Sequence, residues 1–378
     1  MNFELFLTDI RIQVVFGACL LFLLIQLWYF LFYFSRLAFV RQRVPPLSTP
    51  PVSVIICARN EAENLEKNLP EVFAQDYPDF EVIVINDCSW DNTEGVLETL
   101  KPRFPRLKVI HIKEDVYYSH GKKLAIMVGI KGASSEYLLF TDADCRPASH
   151  KWIQEMVRGF DQEKSIMLGY GPYEKRKGFL NKLIRFDTWS IGLMYLSFAL
   201  ARRPYMGVGR NMAYRRSLFF MKKGFSKHYF IESGDDDLFV NEAATGSNTL
   251  AVTVPEAFTY SIPKTTFRQW IFQKKRHTST FKYYKLSNRL RLTLFGFSQY
   301  GFYISLGLSL IFYSLWPVTL GIFLFRHLMQ MIIFKKSMNR LKEQDLFFWY
   351  PVLELCLMVI YPWIYIVRKT AKASPWKI

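Results

Sequence analysis

Asp142 and Asp144 stand two residues apart, directly after the apolar run YLLFT at 137–141. Three further carboxylates, Asp235, Asp236 and Asp237, follow one another in GDDDL. A carboxylate pair at a strand end can clamp a divalent ion. Mg²⁺ favours one or two carboxylates plus the oxygens of substrate phosphates, and such an ion neutralises a departing diphosphate. Taken alone, Asp-x-Asp is equally an ordinary solvated turn. The triple acid could cap a helix, where negative charge is favoured. Three in a row exceed that need, and crowded like charges raise one another's pKa toward the range of a general base. His120-Gly121-Lys122-Lys123 opens a helical stretch. Backbone N–H groups at a helix start, with a lysine beside them, suit a phosphate; a plain basic first turn accounts for the segment equally.

These groups need a frame. After a linker containing Pro45, Pro46, Pro50 and Pro51, runs of strand and helix character alternate. Strands are expected at Val52–Ala58, Glu81–Ile85, Lys108–Ile112 and Tyr137–Thr141, and helices at Glu61–Ala74, Thr93–Arg103 and Lys122–Lys131. Alternation of this kind implies a mainly parallel sheet covered on both faces. Such sheets bind ligands beyond the carboxyl ends of their strands. Ala58-Arg59-Asn60-Glu61, then Asn86-Asp87-Cys88-Ser89, then Asp142-Ala143-Asp144-Cys145 stand at three of those ends. One polar turn means nothing; three on one sheet edge form a pocket. Ser165–Gly171 reads as a further strand, and the apolar run Trp189–Ala201 as a buried or interfacial helix, short for a span.

The 378 residues are 51% hydrophobic and 17% aromatic, yet carry a formal charge of +17. That hydrophobicity excludes disorder. Five scattered cysteines exclude a disulfide scaffold and a CxxC zinc site, and fit a reducing compartment; Cys57, Cys88 and Cys145 read as small core or pocket-wall residues. Ile12 to Ser35 is free of charge, as is Leu294 to Phe325. About 20 apolar residues cross a bilayer. The first run reads as an uncleaved anchor with its basic side, Arg36 onward, in the cytoplasm. The second divides near Trp316-Pro317 into spans at about 294–313 and 317–334 joined by a tight turn. Leu346 to Val367 has basic residues on both flanks, so it either breaks the positive-inside rule or is re-entrant or interfacial. Its Glu354 is expected to partner Arg326 or sit near an interface. Lys264–Arg291 holds nine Lys/Arg and no acid, interleaved with aromatics. Adjacent to a span, it reads as an amphipathic helix on anionic headgroups in preference to a nucleic-acid stripe.

The ordered set VSVIICARNE, VINDCSWDNT, HGKKLA, FTDADC, GRNMAYRR, GDDDL and QKKRH resembles the membrane-anchored family-2 glycosyltransferases over about residues 50–280. The resemblance implies an α/β fold of GT-A type, a Rossmann-like mixed sheet. It implies an anchor and linker over 1–45, a catalytic domain over 46–262, an interfacial segment over 263–293, and a membrane region over 294–378 with two or three spans. It also implies roles. Ala58, Arg59 and Glu61 line the nucleoside pocket and Asp87 contacts the base. Lys122 approaches the diphosphate. Asp142 and Asp144 form the DxD, with Asp144 on Mg²⁺ or Mn²⁺. Asp235-Asp236 is the acidic pair, with Asp236 the base. Gln273 and Arg276 form the QxxR, with Arg276 near the diphosphate. His277 stands where processive members carry Trp, which argues against polymerisation. His120 and His277 could line the site or be plain surface residues. The expected activity is inverting, non-processive transfer from a nucleotide-diphosphate sugar, UDP by default, to a lipid or lipid-linked glycan. The setting is the inner or plasma membrane, with a cytoplasmic catalytic domain and the N-terminus outside. Competing readings are a processive polysaccharide synthase and a non-catalytic anchored module binding nucleic acid or anionic lipid; nucleic acid is not the expected partner.

Overall fold

The computed structural model describes residues 9–41, 48–113, 121–311 and 316–370. His120, Pro45, Pro46, the turn expected between the two C-terminal spans and the tail after Thr370 lie outside the described residues.

The three central strands are largely apolar runs, as strands buried on both faces must be. β1 (Val52–Ala58) lies between β2 (Phe80–Asp87) and β4 (Tyr137–Asp142), parallel to both. The register sets Cys57 opposite Ile85 and Asp142, and Ala58 opposite Asn86. Three carboxyl ends therefore finish at one level. β3 (Leu107–Ile112) extends this half in parallel. Helices α2 (Ala62–Phe73), α3 (Thr93–Leu100) and α4 (Lys122–Gly132) follow β1, β2 and β3. α3 stops three residues before the expected end, where Pro102 tightens the chain into a 3₁₀ turn at Lys101–Arg103.

The second half of the sheet departs from the parallel expectation. The strand order is β3-β2-β1-β4-β7-β6-β8, with β7 (Met212–Arg215) antiparallel to β4 and to β6 (Ile166–Leu168), and β8 (Thr249–Ala251) parallel to β6. The sheet is a mixed α/β sheet of GT-A type. Its reversal has a functional consequence. An antiparallel β7 starts, rather than ends, at the site edge, so the preceding Gly209 and Arg210 arrive beside the strand ends of β1 and β4. A second sheet pairs β5 (Cys145–Pro147) with β9 (Thr259–Ser261). Between the strands run α5 (Trp152–Val157), α6 (Phe179–Leu200), α7 (Arg216–Met221) and α8 (Asp237–Ala243). The run at 189–201 is the second half of α6, whose side chains are mostly buried within the protein.

The apolar helices are α1 (Ile10–Ala38), α10 (Leu286–Ile311) and α11 (Trp316–Arg340), each long and apolar enough to cross a membrane. α1 passes through a π-helical stretch at Tyr29–Phe34. There Tyr33 stacks on Phe198 of α6 with ring centroids 4.1 Å apart, which roots the anchor in the catalytic unit. α10 starts eight residues before the charge-free run and α11 outlasts it, because their basic ends continue the helix past the apolar stretch. The Lys264–Arg291 segment is not one amphipathic helix. It is α9 (Phe267–His277), a 3₁₀ turn at Phe281–Tyr283, and the first residues of α10. Trp270 of α9 is buried, while Phe267 and Phe272 are exposed.

α12 (Tyr350–Thr370) carries the shorter apolar stretch Tyr350–Ile366. It closes a buried polar network within the spans. Arg326 donates from Nε to Gln26 Oε1 at 2.8 Å and from Nη1 to Gln330 Oε1 at 2.8 Å. Gln330 and Gln299 donate to Glu354, at 2.9 and 2.7 Å. Arg326 Nη2 lies 3.9 Å from Glu354 Oε1, the pairing expected from sequence. Each polar group thus has the partner that an apolar surrounding demands.

Candidate active site

The loops after β1 and β2 hold each other. Asn60, at φ +56°, directs its N–H to Ser89 Oγ at 2.9 Å, and its Oδ1 accepts from Trp90 N at 2.9 Å. Glu61 N donates to Thr93 Oγ1 at 2.9 Å, and Ala62 N to Asp91 Oδ2 at 3.2 Å. The polar turn residues thus take up backbone donors at the starts of both helices. Beneath this lacing Arg59 Nη1 lies 3.8 Å from the fully buried Asp87. Burial pushes the Glu61 carboxyl up to about 7, against the amide of Asn64.

At the end of β4, donor atoms of Asp142, Asp144 and Cys145 lie within 4.8 Å of one another. Asn68 Nδ2 holds the turn by donating to Ala143 O at 2.9 Å. Lys122, at the start of α4, donates to Asp142 Oδ1 at 2.7 Å and lies 3.4 Å from Asp235 Oδ2. Desolvation alone would raise Asp142, but the Lys122 ammonium overrides it and holds the carboxyl below its usual range, with Arg210 and Arg276 adding to the effect. Asp144 moves the other way, raised by desolvation and by the Asp142 charge. The Cys145 thiol is pushed well up by burial and then by Asp144, and lies 3.0 Å from Ser261 Oγ. Two hard carboxylates beside a neutral thiol fit Mg²⁺ or Mn²⁺, not a thiolate-seeking metal.

The three consecutive acids divide their work. Asp235 faces Lys122. Asp237 accepts from Thr280 Oγ1 at 2.5 Å and Tyr284 OH at 2.7 Å, tying α8 to the chain beyond α9. Asp236 caps α8 through Asp237 N at 2.7 Å and accepts from Gly209 N at 2.7 Å. Desolvation, with Asp235 and Asp237 on either side, pushes its carboxyl up to about 7. Capping and a base-like pKa thus reside in one residue. The turn before it needs glycine: Gly234 has φ +92°, and a Cβ there would stand 2.4 Å from Leu238 Cδ1.

α9 brings the remaining residues. Gln273 Nε2 donates to Tyr173 OH at 3.2 Å, and the guanidinium of Arg210 lies over the same ring, 4.5 Å from its centroid. Arg276 and His277 are exposed at the end of α9. The candidates from Ala58 to Asp236 therefore gather at the strand ends, while Gln273 and Arg276 stand on α9, which meets Arg210 through Tyr173.

Sequence reasoning missed Lys123, Arg210 and Tyr173. Lys123 is buried, and its ammonium donates to three backbone carbonyls, His228 at 2.6 Å, Ile231 at 2.8 Å and Ser233 at 2.9 Å. It fixes the loop that delivers the acids. The only signal was a second lysine at a helix start, which the phosphate reading assigned to Lys122. Lys123→Met leaves those carbonyls without their donor. It is expected to lower the thermal midpoint and to cut turnover about 100-fold through misplaced acids; turnover equal to wild type, measured on folded protein, would show that the loop needs no such clamp.

Residues 53–220 match the family model described as Glycosyl transferase family 2. A glycosyltransferase of Haemophilus influenzae is 29% identical over 174 residues, 44% of this chain and 52% of that protein. A poly-β-1,6-N-acetyl-D-glucosamine synthase of Staphylococcus epidermidis is 33% identical over 111 residues, 29% of this chain and 25% of that protein. The chain thus matches about half or less of the length of these relatives. Among solved structures, a mannosyltransferase from Pyrobaculum calidifontis in complex with GDP-Man and Mn²⁺ superposes with a TM-score of 0.54 at 18% identity, over 92% of this chain and 96% of that one. Motif order, sheet topology and the family match together make residues 53–220 similar to the glycosyl transferase family 2 domains, on a mixed α/β sheet of GT-A type.

Proposed function

We propose that the chain is an inverting glycosyltransferase that moves one sugar from a nucleotide-diphosphate sugar to a membrane-associated acceptor, a lipid or lipid-linked glycan. The observation that carries this reading is Asp236. A carboxyl pushed up to about 7 stands on the edge that also holds Asp142, Asp144 and Lys122, a base facing a diphosphate site. Arg59, Glu61 and Asp87, with Ala58 at the end of β1, receive the nucleoside; UDP is the default from the family resemblance. Asp236 takes the proton of the acceptor hydroxyl as its oxygen attacks the anomeric carbon. The C–O bond to the diphosphate breaks on the opposite face, and Lys122 and Arg276 meet the charge that leaves. Mg²⁺ or Mn²⁺ would be held by Asp144 and Asp142, and when bound supplies Lewis-acid neutralisation of the leaving diphosphate.

The acceptor side rests on the membrane frame. With the basic residues from Arg36 onward in the cytoplasm, the catalytic unit is cytoplasmic and the N-terminus lies outside. α12 packs on α6 and α9 and carries Glu354 into the polar network of the spans, which holds the catalytic unit against them. A transferase held at the bilayer by these helices suits a lipid acceptor.

A processive synthase is the second reading, favoured by the identity to the Staphylococcus epidermidis synthase. Against it stand His277 at the Trp position and three candidate spans among the described residues. Membranes incubated with labelled nucleotide sugar separate the two. The expected product is extractable into organic solvent and carries one added sugar; label in insoluble, high-mass material would overturn the single-transfer reading.

A further inference from the structure

The helix carrying Gln273 and Arg276 is fastened by a carboxylate far from the strand ends. Asp187 lies in α6 and is 0% exposed. Lys274 of α9, itself buried, forms an ion pair with Asp187 Oδ2. The hydroxyl of Tyr361, on α12, donates to Asp187 Oδ1 at 2.5 Å. One carboxylate thus joins the catalytic unit, the QxxR helix and the last apolar helix.

A buried carboxylate survives only when it is paired and hydrogen-bonded, and apolar residues of similar size hold helices together at least as well. What the ion pair adds is direction. At 3.6 residues per turn, positions two apart point to nearly opposite sides of a helix. Lys274 drawn inward to Asp187 therefore turns Arg276 to the opposite side of α9, where it is exposed. Gln273, one residue before Lys274, reaches Tyr173. Tyr361 brings α12 to the same anchor. The ion pair sets how α9 is rotated about its axis, and α12 seats the ion pair.

We propose that Asp187 is a positioning residue for the diphosphate arm of the site: through Lys274 it fixes the orientation of Arg276, and through Tyr361 it makes that orientation depend on the seating of α12. This rests on the reading that Arg276 meets the donor diphosphate.

The test uses the full-length protein in lipid nanodiscs with Mn²⁺, and the affinities of UDP, UMP, GDP and GMP. An Arg276 that meets the outer phosphate, once misplaced, weakens the diphosphates and spares the monophosphates. A merely structural fault weakens both alike. Asp187→Asn is expected to lower the diphosphate-to-monophosphate affinity ratio about tenfold, toward that of Arg276→Gln. Tyr361→Phe, which removes one hydroxyl and keeps the fold, is expected to lower it about threefold; it decides the matter if Asp187→Asn does not fold. A wild-type ratio in Asp187→Asn or, failing that, in Tyr361→Phe, while Arg276→Gln collapses it, overturns the proposal. A ratio unchanged even in Arg276→Gln removes Arg276 from the diphosphate and takes the proposal with it.

Discussion

Asp236→Asn is expected to lower kcat about 10³-fold while donor affinity stays within about twofold of wild type. The substitution keeps shape and volume, and its amide oxygen can still accept from Gly209 N. What it removes is the proton-accepting oxygen, and with it the bond that Oδ1 accepts from Asp237 N. The wild-type pH profile carries the same information. A general base works only when ionised, and desolvation with Asp235 and Asp237 keeps Asp236 protonated up to about pH 7. The rate of the chemical step should therefore climb about tenfold per pH unit below that value and level off above it, whereas the Asn variant should show no such limb. The linkage sign gives an independent check. The folded-state pKa lies above the ordinary 3.8, so between about pH 4 and pH 7 the native protein holds a proton that the unfolded chain has released. Stability falls with rising pH over that window, and Asp236→Asn should be more stable than wild type at pH 8. A slower yet more stable variant is the signature of a group strained for chemistry. Unchanged kcat would remove Asp236 from the base role.

The second large effect concerns the DxD. Saturating EDTA is expected to abolish turnover, with recovery on Mn²⁺ or Mg²⁺. Asp144→Asn is expected to cut kcat/KM about 100-fold and to raise the metal concentration needed for half-maximal rate. The contrast with its neighbour makes the test specific. Cys145 offers a sulfur within the same 4.8 Å cluster, but its thiol is held neutral and lies 3.0 Å from Ser261 Oγ. Cys145→Ser should leave the metal titration within about twofold of wild type. Turnover that survives EDTA would separate Asp144 from any metal role.

Much of the parallel half of the molecule was legible in the sequence, because an apolar strand and the polar turn after it are both local patterns. β1, β2 and β4 were read from such runs, and the sheet register then brings their turns together without further information. The reversal at β7 was not legible. Met212–Arg215 is four residues long, too short for a periodic signal, and nothing local states that a strand runs backward. Lys123 was missed for a related reason: its three carbonyl partners lie 105 to 110 residues away, and a lysine at a helix start looks like any solvated first turn. The division of labour among Asp235, Asp236 and Asp237 was equally hidden. Sequence shows three like charges, while their partners, Lys122, Gly209 and the Thr280–Tyr284 pair, come from three separate parts of the chain. Glu354 was readable as the partner of Arg326 because an apolar surrounding leaves a charge few alternatives.

The central claim is that this strand-end site turns over a nucleotide sugar at a membrane. A panel of UDP-, GDP- and other nucleotide-linked sugars, offered to the full-length protein in membranes with Mn²⁺, tests it directly. Nucleotide release is read first, followed by mass spectrometry of the lipid extract. The expected result is one preferred donor whose diphosphate appears in step with a lipid-extractable species heavier by one sugar. Release of nucleoside diphosphate from none of the donors, with folded protein and acceptor membranes present, would contradict the account.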